Sequence, residues 1–139
     1  MIIKTKWLKF DTKGRDDVIE ITGAVTGFIS ECKVEEGMVT VFVHGSTASV
    51  TTLEYEPGLI KDIKELGEKL APAGQSYAHD ATWGDANGYS HLRASAIGPS
   101  LTVPIEKGKM TLGTWQQIVV IDHDNRPRSR QVVVQVIGE

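Results

Sequence analysis

An α+β fold, arranged as a single-domain, mostly antiparallel β-sandwich with two main helices, follows from three observations. Short β-branched runs such as MVTVFVH, QIVVI and QVVVQVI recur along the chain and crowd its second half. Two segments, near residues 18–29 and 59–70, space their apolar residues at helical intervals. No repeat, linker or low-complexity tract divides the 139 residues, a length that suits one core over residues 1–139.

The elements follow in order. Ile3 to Phe10 alternate as a first strand, which Gly14 ends. Asp16 and Asp17 sit where a helix start favours acidic groups, and Val18, Ile21, Val25, Phe28 and Ile29 form the buried stripe of that helix. Cys32 follows as a small semi-buried residue, and as the only cysteine it excludes an internal disulfide. Met38 to His44 is a strand, GSTAS a turn, and Val50 to Glu54 a second strand. Pro57 and Gly58 open a helix with Leu59, Ile60, Ile63, Leu66 and Leu70 on one face. After a polar stretch, HLRASAIGPS reads as a short helix or irregular passage. Leu101 to Ile105 is a strand whose Pro104 marks an edge or a bulge, and Glu106-Lys107-Gly108 supplies a hairpin turn. Met110 to Leu112, Gln117 to Ile121 and Gln131 to Ile137 complete the sheets.

The net charge of −3 argues against nucleic acid or a membrane surface as partner, and no apolar run reaches membrane-spanning length. The N-terminus lacks the apolar core of a signal peptide, so a cytoplasmic location is expected. Tyr77 to His91, YAHDATWGDANGYSH, holds two histidines, two aspartates and an asparagine with almost nothing aliphatic. Core burial alone cannot order such a segment, so a neighbouring subunit, an ion or a ligand is expected to hold it. His79 and His91, with Asp80, Asp85 and Asn87 nearby, suit a divalent metal, or equally are loop residues satisfied by local hydrogen bonds. Ser46 and Thr47 in GSTAS offer an anion cradle or a plain turn. Arg126, Arg128 and Arg130 alternate; on a strand they would form one row able to grip phosphate, or else guard an exposed edge. Trp115 reads as a core residue and its neighbour Gln116 as a site contact.

The blocks GSTASVTTLE, HD with WGDANGYSHLRAS, GPSLTVP, LGTWQQIVVID and RPRSRQVVVQ, in this order, resemble the YjbQ-type family. The resemblance is strong over residues 38–139 and looser before them. It implies an α+β sandwich, a homotrimer with polar sites near subunit contacts, and a bound zinc or magnesium ion or an anion. The implied activity is that of a thiamine-phosphate synthase acting on small phosphorylated ligands. Carried over, His79 and His91 become metal ligands or, with Glu54 and Gln116, catalytic residues. Asp85, Asn87 and Arg130 become substrate or anion contacts, joined by Ser46, Thr47 and Arg128 from the turn and arginine-row readings above. Family members often carry a histidine where this chain has Gly45, and His44 lies one residue out, on the opposite face of a strand. That leaves a two-histidine set to be completed by Glu54, Asp80 or water.

Overall fold

A computed structural model describes all residues, 1–139. Its order is β1 (Ile2–Thr12), β2 (Asp17–Glu20), α1 (Thr22–Cys32), β3 (Glu36–Val43), β4 (Ala48–Leu53), α2 (Pro57–Leu70), α3 (Ala78–Trp83), α4 (Gly88–Ile97), β5 (Ser100–Glu106), β6 (Lys109–Met110), β7 (Gln117–Asp122) and β8 (Arg128–Gly138). Two antiparallel sheets result, one ordered β1-β8-β3-β5-β6 and the other β2-β7-β4. The expected α+β architecture is present.

Period-two alternation decides what each sheet face does. Val39, Val41 and Val43 of β3, with Val132, Val134 and Val136 of β8, point into the sandwich against Val50, Ile118 and Val120. Val25, Phe28 and Ile29 of α1 join this core. On the other face of the smaller sheet, Val119 and Ile121 of β7 meet Val18, with Ile60 and Ile63 of α2 and Ile97 of α4 packed over them. Glu56 caps α2 by accepting from the N–H groups of Gly58 and Leu59, with Pro57 opening the first turn.

Three expectations need correction. Val18 lies not on α1 but in β2, where Asp17–Glu20 pairs with Glu20↔Val119 through Asp17↔Asp122, and the helix starts only at Thr22. A four-residue strand is too short for its alternation to stand out from helical spacing. Trp115 is 69% exposed, outside the core, in the turn entering β7. The polar stretch, read in part as loop, is largely helical. It forms α3 and the start of α4, joined by Asp80, whose two carboxylate oxygens accept from the N–H groups of Tyr77 and Gly88. Elsewhere Pro104 sits on β5, which has only the two-residue β6 beyond it, and Lys107 and Gly108 both take positive φ in the hairpin between them.

No helix is long and apolar enough to cross a membrane.

Candidate functional site

The strands deliver a dense polar cluster to one end of the sandwich. Alternation continues past the apolar part of β7, so Asp122 follows Ile118 and Val120 inward while His123 follows Val119 and Ile121 toward the helices. Arg130 likewise follows Val132 inward from β8 and meets Asp122 through two hydrogen bonds of 2.7 Å, both side chains being buried. Burial pushes the Asp122 carboxyl upward. The bonds from Arg130, the Thr12 hydroxyl and the Asp124 N–H outweigh it, holding the group below its ordinary value. Asp124, also buried, accepts from Thr47 Oγ1 at 3.0 Å, from Arg128 at 3.0 Å and from the N–H of Asn125.

On the helical side, His123 Nδ1 faces Asp16 and its Nε2 lies 2.8 Å from Ser49 Oγ. Arg93 of α4 holds Asp16 from the other side at 2.7 Å and reaches Glu68 of α2. Arg15 and Asp16 carry positive φ, and their N–H groups donate to the carbonyls of Asp124 and Asp122, which fixes Asp16 against the ring. Ser49, His123 and Asp16 have the bonding order of a nucleophilic triad, yet all are buried and Ser49 has no exposed surface. They lock the helical layer onto the sheet.

His79 and His91 do converge. Their ring centroids are 4.3 Å apart, with planes tilted by 52°. The Asp85 carboxylate lies 3.5 Å from His79 Nε2, and the Asn87 side chain 3.0 Å from it. With the Asn87 amide turned so that its nitrogen faces the ring, that nitrogen donates to His79 Nε2 and to both Asp85 oxygens, at 3.0 and 3.2 Å. Nε2 is then unprotonated, with its lone pair accepting the Asn87 N–H. Asn87 also lies 3.4 Å from Asp124, so the histidine pair and the arginine cluster are neighbours through one carboxylate.

Burial, and after it the charge of His79, lowers the His91 pKa below 6.5, more than Asp85 and Asp124 raise it. A ring-proton titration by NMR should therefore give a midpoint below 6.5. In His79→Ala it should move part of the way back, since burial remains; a wild-type midpoint at or above 6.5 would contradict the geometry. The unfolded chain takes up this proton first, so stability falls as pH drops from 6.5 through the lowered folded value.

Other expected site residues are placed elsewhere or already engaged. Glu54 and Gln116 lie at the far end of β4 and β7, roughly 20 Å of strand away from the turn before β4. There Gln116 lines a separate cavity of about 360 Å³ with Thr51, Thr52, Thr102 and Thr111. His44 is exposed on the opposite sheet face, edge-on to Trp7 at 5.8 Å, and does not stand in for a side chain at position 45. Asp80 is spent on helix capping. Thr47 is buried between Arg130 and Asp124, and Arg128 pairs with Asp124, so the arginines do not form a free row. Ser46 remains open, sharing a cavity of about 200 Å³ with Gly45, His91 and Ser95. Asp122, His123, Asp124, Asp16 and Ser49 escaped sequence reasoning. The signal was available: three consecutive ionisable residues, DHD, continue an apolar strand with no polar break.

No group of three or more His, Cys, Asp or Glu side chains converges in metal-binding geometry. The two imidazoles are donors of the type zinc or a similar ion takes, with water making up the shell because no third such side chain joins them. They do not fit magnesium, which takes oxygen ligands in a near-ideal octahedron.

The chain has relatives among known proteins. The chain is 38% identical over 130 residues to a UPF0047 protein of Archaeoglobus fulgidus, covering 94% of this chain and 98% of that one. It is 38% identical over 139 residues to a UPF0047 protein of Methanothermobacter thermautotrophicus, covering 100% and 95%. Among solved structures, a hypothetical protein from Aeropyrum pernix K1 superposes with a TM-score of 0.91 at 33% identity, over 98% and 99% of the two chains. A YbjQ-like protein of unknown function from Sulfolobus solfataricus P2 does so with a TM-score of 0.89 at 26% identity, over 99% and 100%. The family model described as UPF0047 protein YjbQ-like matches residues 6–139. With sequence and fold in agreement over nearly its whole length, the chain belongs to the YjbQ/UPF0047 family.

Proposed function

We propose that the protein is an enzyme acting on a small phosphorylated molecule at the His79–His91 site, with His91 as the proton acceptor. The observation that carries this reading is the pair of imidazoles 4.3 Å apart, one of them opening on the cavity beside Gly45 and Ser46. His91, its pKa lowered by burial and by His79, is uncharged at neutral pH and able to take a proton from a bound substrate. His79 is oriented by Asn87 and Asp85, the role second groups play around a working imidazole. In the alternative arrangement, a zinc ion bound to the two rings would supply positive charge for a phosphoryl oxygen, and His91 would then not be the proton acceptor.

The reaction suggested by the family resemblance joins hydroxymethylpyrimidine diphosphate to thiazole phosphate. One observation favours the competing, non-catalytic reading: Arg128 and Arg130 are engaged with Asp124 and Asp122, leaving little guanidinium charge for a departing diphosphate. The purified protein, with and without zinc, should be assayed for coupling of the two precursors beside His91→Ala. Product from wild type and loss of it in the variant supports the enzyme. Equal product from both removes His91 from catalysis, and no product under any metal condition favours a metabolite- or ion-binding protein.

The reading includes a homotrimer. The outer face of the larger sheet is covered by nothing in the chain and aligns Ile3, Ile137 and Met38 in one row and Trp7, Val133 and Phe42 in another. Ile3, Trp7, Met38 and Phe42 are 65%, 48%, 46% and 40% exposed, an apolar patch of the kind that marks an interface. Light scattering should find wild type at three chains and Trp7→Glu with Phe42→Glu at one. A monomeric wild type at micromolar concentration would refute the assembly.

A further inference from the structure

The geometry points to the turn Gly45–Thr47 as the seat of a single phosphoryl group, making the substrate a small phosphate monoester whose reacting end faces His91. This deepens the function proposed above and rests on it. The turn links β3 to β4, and the N–H groups of Gly45, Ser46 and Thr47 donate to no backbone atom, although the N–H groups on either side, at His44 and beyond the turn at Val50, are paired. No side chain accepts from them either, since the side-chain bonds at this turn belong to Thr47 Oγ1 alone. Consecutive free N–H groups form an anion-binding concavity.

A second, independent feature lies beneath the turn. Arg130 is 3% exposed, and its Nε and one terminal nitrogen are taken by Asp122 and Thr47. The other terminal nitrogen, Nη1, has no protein partner, and a Cβ built on Gly45 would meet it at 2.6 Å. Glycine at 45 is thus what lets the guanidinium come up against the turn. Gly45 and Ser46, with their free N–H groups and the unbonded Ser46 hydroxyl, share a cavity with His91 and Ser95, while Arg130 Nη1 comes up against Gly45 from beneath the turn, where Arg130 lines a different cavity with Phe10 and Asp11. The turn N–H groups and the Ser46 hydroxyl can donate to a phosphoryl oxygen, and the guanidinium beneath adds positive charge behind them. The buried carboxylates behind them, Asp122 and Asp124, are occupied by Arg130, Arg128, Thr12 and Thr47. A volume of about 200 Å³ suits one phosphoryl group and a short carbon chain better than a diphosphate with a ring.

Amide spectra of the ¹⁵N-labelled protein titrated with inorganic phosphate test this. The Gly45, Ser46 and Thr47 resonances should shift saturably. Ser46→Pro, which deletes one donor, should weaken phosphate binding by about tenfold or more, whereas Ser46→Ala, which keeps the N–H, should stay within about threefold. If phosphate binds but moves only other resonances, the seat is elsewhere and the phosphorylated-substrate reading stands without it. An unchanged affinity in a folded Ser46→Pro likewise overturns the seat. Absence of any phosphate binding overturns both the seat and the phosphorylated substrate, while the His91 coupling assay still tests proton transfer separately.

Discussion

Replacing Arg130 by alanine should cost about 3–5 kcal/mol of folding stability at neutral pH, the largest single loss expected in this chain. The substitution strips Asp122, buried on the inner face of β7, of its two 2.7 Å bonds, and removes a donor to Thr47. What remains is an ionised carboxylate with the Thr12 hydroxyl and the Asp124 N–H as its only support. The pH dependence has a definite sign. In wild type the depressed pKa of Asp122 means that its contribution is present above 3.8 and is lost as pH falls through the lower folded value. Without Arg130, burial dominates and raises the folded pKa, so the variant's deficit should shrink as acid protonates the group. Asp122→Ala added to Arg130→Ala should recover part of the loss, because no orphaned charge is left. Urea unfolding of the single and double variants between neutral and acid pH checks this; a deficit below about 1 kcal/mol would show that the buried pair is not what closes this end of the sandwich.

His91→Ala and His79→Ala should each abolish zinc uptake by protein prepared without a histidine tag. The loss should exceed the roughly 10–100-fold that removal of an outer partner costs, because each substitution deletes one of only two imidazoles. Asn87→Ala, which removes an orienting group, should fall within that smaller range. Glu54→Ala and Gln116→Ala should leave zinc affinity unchanged, since both lie at the opposite end of β4 and β7 within a chain. Competition with a chromophoric chelator measures all five. Retained zinc in His91→Ala would end the metal reading. A loss in Glu54→Ala, with its fold intact, would mean that a second subunit brings that carboxylate to the histidines.

Much of the architecture was legible in the residues because it rests on local periodicity. The valine-rich runs of β3, β7 and β8 alternate or stay apolar over enough residues to declare themselves, and α2 announces itself with Pro57 and five apolar residues on one face. Asp17–Glu20 did not, because four residues fit either period. The pairing of His79 with His91 was legible in outline, as their polar setting marked them out from the core. The order within that setting was hidden, since it depends on Asp80 bridging two helix starts that are ten residues apart.

What the sequence determined by itself is the sandwich, the family and the pair of imidazoles, all of which follow from patterns readable within a few neighbouring residues. The tertiary structure alone decided which charges are free. Whether Arg130 is available to a ligand depends on Asp122, and whether His123 is catalytic depends on what buries Ser49. Those partners are brought together by strand pairing across the whole chain, up to Thr12 with Asp122 at a separation of 110 residues, and no local pattern encodes such a contact.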